Sequence, residues 1–280
     1  MKTISKHIIL VVVGLFACIG VLFTLVFIGM QFGIFDVRGS ITDRNQFFGP
    51  PAATTTPPCI DETLTTCDWK QTPEWAVIKA GFAKDKSVIA QVSSETGVPE
   101  RMIVAVVSPE QIRFFTSERE VFKRYFEPLK ILGSMSKFSL GVSGIKQDTG
   151  GMIEEYASSS TSPFYPGGDM AARIAYTATT TDRNAELFNR LTDAKNHYYS
   201  YLYTALYIRE VEAQWKNAGY DISNNPDAVV TLFNIGFQNS HPNAHPSSGG
   251  AGITTGGKTY TYGQLGSDVY NSTELPDFSK

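Results

Sequence analysis

The sequence predicts a mainly α protein, in which one apolar membrane-spanning helix is followed, after a spacer, by a helical domain. Three features carry that prediction. Residues 8–30 are apolar and free of charge. A Pro/Thr tract then interrupts the chain near residues 49–58. Beyond residue 73, apolar residues recur between helix-start and helix-stop signals, and strand signals are few.

At about 1.5 Å per residue, the stretch from 8 to 30 covers a hydrocarbon core of roughly 30 Å. Lys2 and Lys6 precede it, while Asp36, Arg38, Asp43 and Arg44 follow with balanced sign. The positive-inside bias therefore leaves residues 1–7 as a cytosolic tip and places the rest outside. A cleaved signal peptide is one rival, but it has a shorter apolar region, and no Ala-x-Ala-like site follows Met30. A lipoprotein site at Leu15-Phe16-Ala17-Cys18 is the other. Phe16 fits poorly there, and the apolar run continues past Cys18. The sequence favours a single-pass, uncleaved anchor.

Residues 31–72 read as a tether. The tract Gly49-Pro50-Pro51-Ala52-Ala53-Thr54-Thr55-Thr56-Pro57-Pro58 favours extended backbone and cannot pack a core. Cys59 and Cys67 are the cysteine pair left outside the apolar segment. A redox or metal pair is one reading of them. A structural disulfide is favoured, because the exterior is oxidising and no further cysteine is available for a metal site.

A domain is expected over 73–272, with 273–280 as a tail. Pro73-Glu74-Trp75 reads as a helix start, and 85–96 as a further helix stopped by Gly97. Pro99 and Glu100 suit the next N-terminus. Met102-Ile103-Val104-Ala105-Val106-Val107 is apolar all round, which in a helix means burial on every side. Shorter helical pieces are expected at 173–176 and 183–192, a long one at 198–218, and another at 226–233. The best strand signal is 258–262. The 24 Lys and Arg against 27 Asp and Glu give a net charge of −3, which offers no electrostatic case for nucleic acid.

The most informative stretch runs from that apolar helix into Ser108-Pro109-Glu110-Gln111-Ile112-Arg113-Phe114-Phe115. A carboxyl held against apolar side chains is pushed toward its neutral form, which suits a general acid. The alternative is an ordinary pair between Glu110 and Arg113 on the next helical turn. Further on, Gly141-Val142-Ser143-Gly144-Ile145-Lys146-Gln147 suits a tight turn where backbone approaches a ligand. Phe233-Asn234-Ile235-Gly236 then ends an apolar helix with one amide side chain.

In this order the three segments resemble the lysozyme-like lytic transglycosylase superfamily, over roughly residues 88–270. The resemblance implies a lysozyme-like helical domain in which Glu110 is the catalytic acid and base. It also implies a cleft lined by Gly141, Gly144, Gln147, Phe233, Asn234 and Gly236. Gln111 replaces the Ser that commonly follows the catalytic Glu, Lys146 replaces a Met, and Phe233 replaces a Tyr. The implied substrate is the peptidoglycan glycan strand, cut between N-acetylmuramic acid and N-acetylglucosamine, with no metal or organic cofactor. Glu118, Glu120 and Asp148 are the nearest candidates for a second carboxylate, each read first as a solvated charge. Envelope-spanning machinery is the further partner class. The alternative function is a non-catalytic envelope protein that binds glycan or scaffolds a complex.

Other patterns carry less. Gly252-Ile253-Thr254-Thr255-Gly256-Gly257-Lys258-Thr259 matches the phosphate-loop pattern without the strand and helix that loop needs, so a flexible loop entering a hairpin is expected. His241 and His245 are separated by Pro242 and followed by Pro246, which forbids a helical zinc grip. Gly141 to Ile145 lacks the final Gly of a nucleophile elbow. Tyr198, Tyr199, Tyr201, Tyr203, Tyr207 and Trp215 could line a sugar cleft, but at helical spacing they read as core.

Overall fold

The structure, a computed structural model, describes residues 67–116, 139–193, 195–246 and 248–280, with residues 14, 16, 17 and 19–21 of the N-terminal segment. The expected cytosolic tip 1–7, most of the expected span 8–30 and the expected tether up to residue 66, Cys59 included, lie outside the described residues. So do Glu118 and Glu120. Residues 14, 16, 17 and 19–21 are helical, and Phe16 is 68% exposed. No helix among the described residues is long and apolar enough to cross a membrane.

The domain is mainly helical. Helix α1 spans Pro73–Thr96, opened by the Thr72 side chain accepting from the Trp75 amide and closed by Gly97 in the left-handed region. The sequence placed a separate helix at 85–96, whereas the helix is continuous. Asp85, the first residue of that expected helix, is a buried acceptor: its Oδ2 lies 2.6 Å from His197 Nδ1 and takes the Tyr201 hydroxyl at 2.8 Å.

Helix α2, Glu100–Thr116, is the axis of the domain. Residues 102–107 are buried on every side, as an all-apolar helix requires. It packs against α1, against α6 (Tyr198–Asn217), α7 (Pro226–Ile235) and α8 (Tyr262–Asn271), and against strand β3 (Gly252–Thr255). Pro109 lies inside α2 and has no N–H to give the Ala105 carbonyl. Gly266 of α8 approaches that carbonyl so closely that a Cβ would sit 2.8 Å from it.

Two small antiparallel hairpins complete the frame. Strands β1 (Ser139–Leu140) and β2 (Ile145–Lys146) pair Leu140 with Ile145. Strand β4, Lys258–Thr261, pairs with β3 across Gly256-Gly257. The phosphate-loop pattern is thus itself the hairpin, and the predicted strand at 258–262 is present one residue shorter. The remaining helices are α3 (Gln147–Ser158), α4 (Met170–Arg173) and α5 (Arg183–Thr192). Helix α4 falls just before the expected piece at 173–176. Tyr201, Tyr203 and Tyr207 are core residues, and each hydroxyl finds an acceptor: Asp85, Glu154 and the Leu232 carbonyl.

The packed unit extends past both predicted edges. Trp69 is buried with its ring edge-on to Trp75, at 4.7 Å between centroids. Cys67 is disulfide-bonded, and its amide donates to the Gly256 carbonyl at 2.7 Å. At the other end, Leu275 and Phe278 are buried, so 273–280 is no loose tail. Arg101 holds it, donating to the carbonyls of Tyr270, Ser272, Leu275 and Phe278. Replacing Arg101 with Met strands those carbonyls. The expected loss is about 3–5 kcal/mol in urea unfolding, with early proteolysis after residue 270.

Glu210 stands out in α6. It is fully buried, and neither carboxyl oxygen has a hydrogen-bond partner. Burial pushes its carboxyl well above the ordinary 4.5. Half-buried Glu212 is pushed up to about 7, first by burial, with Arg209 opposing. The folded state therefore holds these protons more tightly than the unfolded chain does. Their contribution is most favourable below pH 4.5 and is lost as pH rises, through about 7 for Glu212 and further for Glu210. Thermal melts from pH 5 to 8 should show stability falling with pH. Glu210→Met should flatten that slope and add about 1–3 kcal/mol at pH 8.

Candidate functional site

The site is built where the C-terminal half of α2 meets the β1–β2 turn. Because α2 is locked on all sides, the direction of Glu110 is fixed by the helix itself. Glu110 is only 8% exposed. Arg113 Nη2 lies 2.5 Å from its Oε2, so the pair expected as the alternative does form. The two readings of Glu110, buried carboxyl and ion-paired carboxyl, hold together.

The glycine turn lies directly on this carboxyl. Gly141 and Gly144 have φ of +60° and +67°, in the left-handed region that favours glycine. A Cβ on Gly144 would overlap Glu110 Cγ, Cδ and Oε1, and one on Gly141 would overlap the Leu191 carbonyl. Both glycines are therefore required twice, by backbone conformation and by close approach. Gln111, one of the three residues that depart from the resemblance, is buried and donates its amide to the Val142 carbonyl inside the turn. Ser143 anchors the other flank by donating to the Ser200 carbonyl at 2.9 Å.

The third segment reaches this region through intermediaries. Asn234 Oδ1 accepts from the Ala251 amide at 2.8 Å, and a Cβ on neighbouring Gly250 would come 2.7 Å from that same oxygen. Gly250 in turn abuts Tyr262, whose hydroxyl donates to the Val106 carbonyl of α2 at 3.3 Å. Tyr262 is fully buried, and its hydroxyl is held well above the usual tyrosine range, first by burial and then by the Glu110 charge, with Arg113 opposing. Tyr262 thus lies between the Gly250 segment that Asn234 holds and helix α2.

The other residues picked from sequence are held elsewhere. Gln147 opens α3, half-buried, and donates to the Asn184 carbonyl of α5 at 2.9 Å. Phe233 packs its ring edge-on to Tyr207 at 5.1 Å, and Gly236 ends α7 with φ +87°. Asp148 is solvent-exposed in the first turn of α3. His241 and His245 lie exposed in an irregular stretch, as their prolines require. Sequence reasoning passed over Tyr262 as a strand end. No local pattern marks it, since its partner Val106 lies 156 positions away. Gln111 was read only as a missing Ser.

Taken together, the arrangement offers an enclosed carboxyl with one oxygen toward a glycine turn and the other on a guanidinium. Gly144→Ala tests the enclosure. The added methyl must displace either Glu110 or the turn, and the positive φ is lost. The expected cost is about 2–4 kcal/mol in chemical unfolding, whereas Gly151→Ala, which meets nothing within 4 Å, should be neutral or stabilising. The chain matches no protein-family model, no curated protein and no solved structure.

Proposed function

We propose that this chain is a membrane-anchored, peptidoglycan-cleaving enzyme of lysozyme-like fold, with Glu110 as its acid and base. The observation that carries the reading is the direct contact between the enclosed Glu110 carboxyl and the Gly144 turn. Two segments that resemble the lytic transglycosylase pattern are thereby brought to one place. Asn234, from the third, supports the same region through Gly250 and Tyr262.

In this reading Glu110 protonates the glycosidic oxygen between N-acetylmuramic acid and N-acetylglucosamine. The carboxylate it becomes then takes the proton of the muramic 6-hydroxyl, whose oxygen closes on the anomeric carbon to leave an anhydro end. A hydrolase would need a second carboxylate to manage water or the cation. The exposure of Asp148 supports the single-acid course. The anchor is the apolar segment 8–30, in which helical Phe16, Ile19 and Val21 expose their side chains. The charge balance around it supports a cytosolic N-terminus and an external domain.

A second reading is favoured by one observation, the ion pair that occupies Glu110. A carboxylate engaged by Arg113 suits a non-catalytic envelope protein that keeps the fold to bind glycan or scaffold envelope-spanning machinery. Mass spectrometry of muropeptides released from purified sacculi separates the two. The enzyme reading expects anhydro-ended products and a loss of about 100-fold or more in Glu110→Gln, with an unchanged melting temperature. Glycan binding without any product from the unmutated protein would establish the scaffold instead.

A further inference from the structure

Arg113 is the feature that the proposed reaction leaves unexplained. A general acid must bring a proton to the glycosidic oxygen, yet a guanidinium at 2.5 Å is a partner for the carboxylate, not for the acid. The two members of the pair are also unequally placed. The Arg113 side chain is 20% exposed and that of Glu110 only 9%, so the cation is the more accessible of the two. Arg113 stands in the last turn of α2, one turn beyond Glu110, on the same rigid helix. The helix need not move for the guanidinium to turn away, because a long side chain can change partner by rotation alone.

We infer that Arg113 is a substrate-operated latch: its guanidinium occupies the Glu110 carboxyl until a carboxylate of the muramic acid side arm takes that guanidinium away. The inference rests on the reading of Glu110 as the acid. Glycan strands are neutral along their sugar backbone, but each muramic unit carries anionic chemistry next to the bond to be cut. That carboxylate is the lactyl group when bare, or belongs to the stem peptide attached to it. Arg binds carboxylates in a two-pronged geometry, so exchange of one carboxylate for another keeps the cation satisfied. Glu110 is then left enclosed against Gly144 with its Oε2 released from the guanidinium and open to the substrate. Arg113 is in this account a positioning residue, and specificity for carboxylate-bearing glycan follows from it.

The test uses the full chain in detergent and three substrates: peptide-bearing glycan, the same material with its carboxyls amidated, and glycan stripped of peptide so that only lactyl carboxylates remain. The unmutated protein should cut peptide-bearing glycan at least about tenfold faster than the amidated form. The stripped glycan identifies the source: the lactyl carboxyl of peptide-bearing glycan is tied up in an amide, so cleavage of stripped glycan as fast as of native glycan shows that either carboxylate operates the latch, and slow cleavage confines it to the stem peptide. Arg113→Gln should cut native and amidated glycan alike, with a raised KM for the native substrate and an undiminished kcat. Arg113→Lys, which keeps the cation, should restore the discrimination. Equal cleavage of native and amidated glycan by the unmutated protein overturns the latch while leaving the enzyme reading intact. So does a loss of kcat on both substrates in Arg113→Gln at an unchanged melting temperature. Absence of product from all three substrates overturns both.

Discussion

A helix with no polar face sets the terms for the whole domain. Residues 102–107 are buried all round, so α2 can exist only if every side of it is covered. Helices α1, α6, α7 and α8 with strand β3 supply that cover, and their mutual arrangement follows from it. Each apolar side chain buried there contributes about 1.5–3 kcal/mol relative to exposure. The more important effect is positional. A helix gripped on all sides cannot rotate, so the residues at its C-terminal end are aimed with little freedom.

That rigidity explains how one carboxyl, one amide and one guanidinium can share a few ångströms. Glu110, Gln111 and Arg113 project from a single turn of α2, and the β1–β2 turn closes over them. Gln111 holds the turn by its Val142 carbonyl, while the missing side chain of Gly144 makes room for Glu110. Tyr262 braces the other side from α8, its hydroxyl on α2 and its Cβ against the Gly250 segment that Asn234 holds. Sites supported on regular elements in this way keep their geometry better than sites carried on loops.

Much of this architecture was legible in local sequence, and what was not has an identifiable cause. The all-apolar run announced α2, and α5 and α7 stand where helices were expected at 183–192 and 226–233; Asp182 and Asn225 cap them, each side chain accepting from the third residue of its helix. Helix α3 was hidden by Gly150-Gly151, which reads as a loop. In the structure Gly150 lies where a Cβ would meet Leu187 at 3.2 Å, so its small size serves the packing of α5. Helix α8 was hidden in the same manner, since Gly263 and Gly266 lie close against α7 and α2. The break expected before Asp85 is absent, and the burial of that residue beside His197 cannot be read from neighbours in sequence. At the site, the contact of Glu110 with the glycine turn could be anticipated from motif order. The parts played by Tyr262 and Gln111 depend on partners far along the chain and carry no local mark.

The attachment of Cys67 to the β3–β4 hairpin has a mechanical corollary. Tension applied along the chain from its N-terminal side meets the domain at the Cys67 amide and the Gly256 carbonyl, and at Trp69 lodged against Trp75. The first element to feel a pull is therefore the hairpin tip, remote in sequence from α2, with the edge-on indoles behind it as a second stop. Strand β3 runs back from that tip to Ala251, which Asn234 grips. Because β3 also packs on α2, force arriving at the hairpin tip is passed directly to the cover of the central helix.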